Sequence, residues 1–191
     1  MTRFWWVRHG PTHQKVFTGW RDVPADLSDT AAIARLDAAL PAGALLVSSD
    51  LSRAVATADA LARGRRRLPH RADLREFHFG DWDGKGFAEI AEAHPDLSRR
   101  YWEVPGDVAP PGGESWNAAA ARVARAVTAL HRDHPGRDIV VVAHFGVILT
   151  QLQAALGQSP AQVIARTIDP LSLTRITLSD PPQVHEINHK P

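Results

Sequence analysis

Two continuous apolar runs, each stopped by a histidine, constrain this chain more than any other feature. The first is Phe4-Trp5-Trp6-Val7, ended by Arg8-His9-Gly10-Pro11-Thr12, and the second is Ile139-Val140-Val141-Val142-Ala143, ended by His144-Phe145-Gly146. Short unbroken apolar runs bounded by turn residues predict strands buried on both faces, as in parallel sheets covered by helices. In open α/β sheets, ligands bind just beyond the carboxyl ends of the strands. If these two strands are neighbours, two imidazoles meet at one cleft.

The text between the runs alternates in the manner of βαβ units. Ser28-Asp29 can cap a helix from about Thr30 to Leu40, with Ile33, Leu36 and Leu40 on one face. Leu45-Leu46-Val47 predicts a short strand, and Ser48-Ser49-Asp50 offers caps for a helix over Leu51 to Ala62. Such alternation implies a parallel sheet with right-handed crossovers. Lys85 to Pro111 changes character, with short helical patterns and then Pro- and Gly-rich sequence, so about 85–111 is expected to leave the sheet as a lid over the cleft. Helices are expected from Trp116 to about His131 and from about Val147 to Leu156. Leu171 to Leu178 alternates as an edge strand would, and the tail from Pro181 is polar. Edge pairing near Leu173 would support a dimer.

Composition narrows the functional classes. A length of 191 residues suits one domain, 1–191, and a net charge of +1 gives no global field for nucleic acid or an anionic membrane. With no cysteine, thiolate nucleophiles, disulfides and cysteine metal sites are excluded. No apolar run approaches the ~20 residues of a membrane span, and Arg8 and His9 interrupt the first one too early for a signal peptide. A cytoplasmic enzyme or binding protein is the expectation. The basic run Arg63 to Arg67 reads as a solvated helix end.

Three residues stand out chemically. His9 lies at a strand end before a glycine turn, where backbone N–H groups can approach an anion and nearby carbonyls can orient the ring. Arg53 sits in the first turn of its helix, where the dipole disfavours a cation by about 0.3–1 kcal/mol, so it answers either to solvent or to another partner. A fork of Arg8 and Arg53 onto one phosphate would be such a partner. Glu76, followed by Phe77, Phe79 and Trp82, is the best acid/base candidate, because desolvation raises a carboxyl pKa. Asp81 and Asp83 compete with it but sit beside turn glycines.

Five segments in order resemble the successive motifs of the histidine phosphatase superfamily, which includes the cofactor-dependent phosphoglycerate mutases. They are Arg8-His9-Gly10-Pro11-Thr12; Ser48-Ser49-Asp50-Leu51-Ser52-Arg53-Ala54 with Thr57-Ala58; Leu74-Arg75-Glu76 with Phe79 to Gly84; Gly112-Gly113-Glu114-Ser115; and Val142-Ala143-His144. Size and the Phe79-Gly80-Asp81-Trp82 segment look most like the alpha-ribazole and broad-specificity phosphatases. The resemblance implies an α/β three-layer sandwich with a mostly parallel central sheet flanked by helices. It implies that His9 is phosphorylated, that Arg8, Arg53 and His144 hold the phosphoryl oxygens, and that Glu76 donates a proton, with no metal and no cofactor. It adds Thr18 and Gly19 to the substrate-binding set.

Three positions depart from the pattern. Lys15 stands where relatives often carry a phosphate-contacting asparagine, Phe145 where they often carry glycine, and a glycine is missing near Thr30-Ala31. The expected function is hydrolysis of a small phosphorylated metabolite by a monomer or homodimer. Mutase-like phosphoryl transfer and a non-catalytic phospho-ligand-binding module are the alternatives. A histidine metallohydrolase is a further reading, but His9 and His144 lack a carboxylate at metal-ligand spacing. Trp20, Trp82, Tyr101, Trp102 and Trp116 could line a ring-binding pocket or simply fill the core.

Overall fold

A computed structural model describes residues 1–191. The central sheet has six strands in the order β3-β2-β4-β1-β5-β6: β1 (Thr2–Arg8), β2 (Leu45–Ser48), β3 (Arg66–Arg67), β4 (Asp138–Ala143), β5 (Leu173–Leu178) and β6 (Gln183–His189). The pairs β1–β4, β2–β4 and β2–β3 are parallel, whereas β1–β5 and β5–β6 are antiparallel. The two histidine-bearing strands are therefore neighbours, with Arg8 opposite Ala143.

Strand alternation sends successive side chains to opposite faces, and here both faces are apolar. Phe4, Trp6, Leu45, Val47, Ile139 and Val141 pack against α5 (Trp116–Asp133) and α6 (Phe145–Leu156). Val7, Leu46, Val140 and Val142 pack against α1 (Thr30–Ala39) and α2 (Ser52–Ala60). Two buried faces explain the unbroken apolar runs and make the three layers. The 85–111 stretch does leave the sheet, forming α3 (Phe87–Ala93) and α4 (Pro95–Glu103). Phe17, Trp82, Ile90 and Tyr101 form a small separate core that ties these helices to the loop after β1.

Four expectations need correction. The strand at Leu173 is interior, between β1 and β5's other partner β6, so it offers no free edge for a dimer. The edge is β6, in the polar tail, where an exposed-face sequence carries too few apolar residues to announce a strand. None of Ser48, Ser49 or Asp50 caps α2. Its N-cap is Leu51, without a side-chain bond, and Asp22 Oδ1 instead accepts from the Ser52 N–H at 2.8 Å. The basic run is only partly solvated, because Arg65 is buried and donates to the Pro41, Leu61, Asp37 and Leu40 carbonyls and pairs with the Asp37 carboxylate. Finally, α6 starts at Phe145 rather than near Val147, which makes His144 its N-cap residue.

Candidate active site

Sheet register builds the site. Because Arg8 pairs with Ala143, the residues that follow, His9 and His144, emerge side by side, and the His9 N–H donates to the Ala143 carbonyl at 3.0 Å. Their ring centroids are 5.1 Å apart. Gly10 then turns the chain away, its N–H donating to Thr57 Oγ1 at 2.9 Å. A Cβ at Gly10 would lie 2.6 Å from the Leu27 side chain.

His9 is buried, and its Nδ1–H donates to the Gly10 carbonyl at 2.7 Å. That bond fixes the tautomer and leaves the lone pair on Nε2, the atom a nucleophile uses. Burial, reinforced by the Arg53 charge, pulls the His9 pKa down to about 3, so the ring is neutral across the physiological range. His144, fully buried, is held well below its ordinary value by the same desolvation and by His9, Arg53 and Arg8. Its Nε2 lies 2.7 Å from the Ser49 hydroxyl, and its Nδ1 has no partner.

Arg53 answers to partners rather than to solvent. Only 1% exposed, it donates from Nε to His9 Nε2 at 3.3 Å, from Nη1 to the Arg21 carbonyl at 3.0 Å and from Nη2 to the Gly19 carbonyl at 2.6 Å. Its misfit with the dipole of α2 is offset by these carbonyls. Arg8 donates to the Ile168 carbonyl at 2.5 Å and lies 5.4 Å from the Phe145 ring centroid, while its Nε is buried without a partner. Desolvation lowers both arginine pKa values, opposed by the Glu76 charge, yet guanidinium stays protonated.

Glu76 is desolvated, as the surrounding aromatics suggest. Burial raises its pKa above the ordinary carboxyl value, opposed by N–H donors from Gly146 and Phe77 and by Arg53 and Arg8. The Phe77 N–H reaches Oε1 at 3.0 Å and the Gly146 N–H reaches Oε2 at 3.2 Å. A Cβ on Gly146 would sit 2.7 Å from Glu76 Oε1 and 2.9 Å from the Phe77 ring. Gly146→Ala is therefore expected to displace the carboxyl and lower kcat/KM about 100-fold, as misplacement of a reacting group by ~1 Å does. Steady-state assays beside a melting curve check this; unchanged kinetics would show that the carboxyl's position is not critical.

One cavity of about 270 Å3 is lined by Arg8, His9, Arg53 and Glu76 together with Thr12, Gln14 and Thr18. His144 is fully buried and is not among the lining residues, although its ring centroid is 5.1 Å from that of His9. Gly19 contributes indirectly: its N–H donates to Asp83 Oδ1 at 3.0 Å, so its carbonyl, not its N–H, serves the site through Arg53. Lys15 is exposed and does not line the cavity, whereas Gln14 does. Asp83, read as a turn residue, clamps the Gly19 and Arg21 N–H groups and so holds the loop that holds Arg53. Asp81 is exposed. No group of three or more His, Asp or Glu side chains is placed to hold a metal ion.

Sequence reasoning assigned no role to Arg122 or Glu114. From α5, Arg122 donates to the Asp73, Arg75 and Glu76 carbonyls and to the Glu114 carboxylate, which in turn accepts from the His78 N–H. Trp20 Nε1–H adds a bond to the Glu76 carbonyl at 2.8 Å. These groups fix the backbone that carries Glu76. Nothing in the helical pattern marks Arg122, since an arginine beside Val123 reads as surface; Glu114 was visible only as part of a motif.

Among the five aromatics in question, Trp82, Tyr101 and Trp116 are buried, Trp20 packs on His78 and under Arg75, and Trp102 lines the cavity. Val16, Phe17, Phe79, Phe87 and Phe145 complete its apolar wall.

The chain is 33% identical over 187 residues to the bifunctional protein Rv2228c of Mycobacterium tuberculosis, covering 91% of this chain and 49% of that protein, so it spans about half the length of that relative. It is 37% identical over 169 residues to a glucosyl-3-phosphoglycerate phosphatase of Mycobacterium tuberculosis, covering 81% and 74% of the two chains. Among solved structures, Bacillus stearothermophilus YhfR superposes with a TM-score of 0.86 at 28% identity over 97% of this chain and 95% of that one. The family model for branch 1 of the histidine phosphatase superfamily matches residues 4–188, and the chain belongs to that superfamily.

Proposed function

We infer that the protein is a phosphomonoester hydrolase acting on a small phosphorylated metabolite through a phosphohistidine at His9. The observation that carries this reading is the state of His9: neutral, with Nδ1–H tied to Gly10 and the lone pair on Nε2, which accepts only a long 3.3 Å bond from Arg53 Nε, in a cavity that Arg8, Arg53 and Glu76 also line. In the first step Nε2 attacks phosphorus in line, the ester P–O bond breaks, and the leaving oxygen takes the proton of the Glu76 carboxyl. The phosphorylated ring carries its charge on an imidazole whose Nδ1–H still donates to Gly10. In the second step water attacks phosphorus, gives its proton to the Glu76 carboxylate, and the P–N bond breaks.

The arginines offset the charge of the transferring phosphoryl group throughout. Arg8 Nε and His144 Nδ1 are buried without a partner, and in this reading phosphoryl oxygens supply one. Thr18 and Gln14 line the same cavity and complete the substrate-binding set in this reading.

Water is the acceptor rather than a second phosphoglycerate, because 85–111 contributes only two short helices. Phe87 and Trp102 from those helices reach the cavity lining, which supports a capping role. The reading includes a monomer or homodimer, a cytoplasmic setting and no nucleic-acid partner; the near-zero net charge supports the last. No helix is long and apolar enough to cross a membrane.

Steady-state phosphate release from a panel of phosphate monoesters, with and without chelator, tests the reading. Turnover that persists in chelator is expected. Absence of turnover on every ester would favour a binding module, and activity lost to chelator and restored by metal would favour a metallohydrolase.

A further inference from the structure

The catalytic cavity has an apolar neighbour. A second space of about 60 Å3 is lined on its far side by Tyr101, Trp116 and Ile164, and it shares Glu76, Phe79, Trp102 and Phe145 with the first. The two spaces thus adjoin at the carboxyl that protonates the leaving oxygen in the mechanism above. A leaving group extending away from phosphorus past Glu76 runs along these shared aromatic faces.

The lining chemistry is one-sided. No lysine, arginine or histidine lines the second space, and Glu76 is its one acidic residue. In the catalytic cavity the cationic side chains are Arg8 and Arg53, which the phosphoryl group claims together with His9. A carboxylate or second phosphate on the leaving group would be buried beside Glu76 with no counterion, which is strongly unfavourable. At the rim, Phe87 is 52% and Trp102 43% exposed; exposed large apolar side chains gathered at a cleft mark a binding surface.

We propose that this second space is the leaving-group subsite, and that the preferred substrate is the phosphate ester of an uncharged alcohol bearing one aromatic ring or an apolar group of that size, rather than a phosphorylated acid. The proposal rests on the hydrolase reading. Size sets the limit: an apolar cavity of about 150 Å3 encloses a benzene, so a space of about 60 Å3 takes a ring only in part. The remainder lies against Phe79 and Trp102.

Kinetics on three alkyl esters of similar intrinsic reactivity, 2-phenylethyl phosphate, ethyl phosphate and 3-phosphoglycerate, test the proposal. The first is expected to exceed each of the others in kcat/KM by about tenfold or more, since even one methylene in an apolar pocket discriminates on that scale. Ile164→Trp, which fills the far side, should reduce that ratio severalfold. Should that variant not fold, Trp102→Ala at its partly exposed position should do the same. A 3-phosphoglycerate value equal to or above that of 2-phenylethyl phosphate, or a ratio unmoved in the folded variants, overturns the subsite while leaving the hydrolase reading intact. No phosphate released from any of the three overturns both.

Discussion

His9→Ala is expected to lower phosphate release by at least about 10⁴-fold while the fold and phosphate binding persist. Removing the nucleophile of a covalent mechanism leaves only the stabilisation that the surrounding groups provide, and losses of this order follow when one member of a cooperating set is deleted. Arg8, Arg53 and His144 remain in the variant, so inorganic phosphate should still bind and raise the melting temperature. Arg53 Nε loses its acceptor in His9 Nε2 but keeps the Gly19 and Arg21 carbonyls through its other nitrogens, so the guanidinium stays placed. Assay of the purified variant beside circular dichroism separates lost chemistry from lost fold. Residual activity within about tenfold of wild type in a folded variant would exclude His9 as the attacking group.

Glu76→Gln should cost about 10²- to 10⁴-fold on alkyl phosphates, the usual contribution of general acid catalysis. The cost should shrink on p-nitrophenyl phosphate, whose leaving oxygen departs without protonation. Equal losses on both esters would indicate that Glu76 has only a structural role. The pH profile supplies a second readout. Because burial raises the Glu76 pKa, the acid form survives above the ordinary carboxyl range, while His9 is neutral above about 3. Both required states coexist between those limits, so kcat on alkyl esters should fall as pH rises through the elevated Glu76 pKa, and that limb should vanish in the Gln variant.

Stability follows the same linkage. A carboxyl whose folded pKa exceeds its unfolded value binds more protons when folded, so its contribution is complete below the ordinary carboxyl value of 4.5 and declines as pH rises through the folded pKa. Gln, always neutral, should remove that decline. It would leave one of the Phe77 and Gly146 N–H groups facing an amide nitrogen, so its net effect near neutral pH is expected to be small.

The parts of this site legible in the sequence were those whose local pattern already departed from the ordinary. Apolar runs ending abruptly at His9 and His144 implied strands buried on both faces, as apolar packing on both sides of the sheet bears out, and the structure adds that the two are parallel neighbours. Arg53 was visible as a cation at the wrong end of a helix, and Glu76 as an acid amid aromatics. What sequence could not show were interactions across long separations. Ser49 resembles a helix cap but meets His144, 95 positions away. Asp83 resembles a turn residue but holds the loop behind Arg53. Arg122 resembles helix surface but ties down the irregular segment, after the turn Ala72–Leu74, that bears Glu76. The edge strand β6 was hidden for a different reason, since a strand half open to water carries little hydrophobic signal.

Rapid acid-free quench of the enzyme with ³²P-labelled substrate, followed by peptide mapping, tests the covalent step most directly. The mechanism requires alkali-stable, acid-labile label on the peptide that contains His9, absent in His9→Ala. Label on the peptide containing His144, or phosphate released in burst-phase experiments with no labelled protein at any time point, would contradict it.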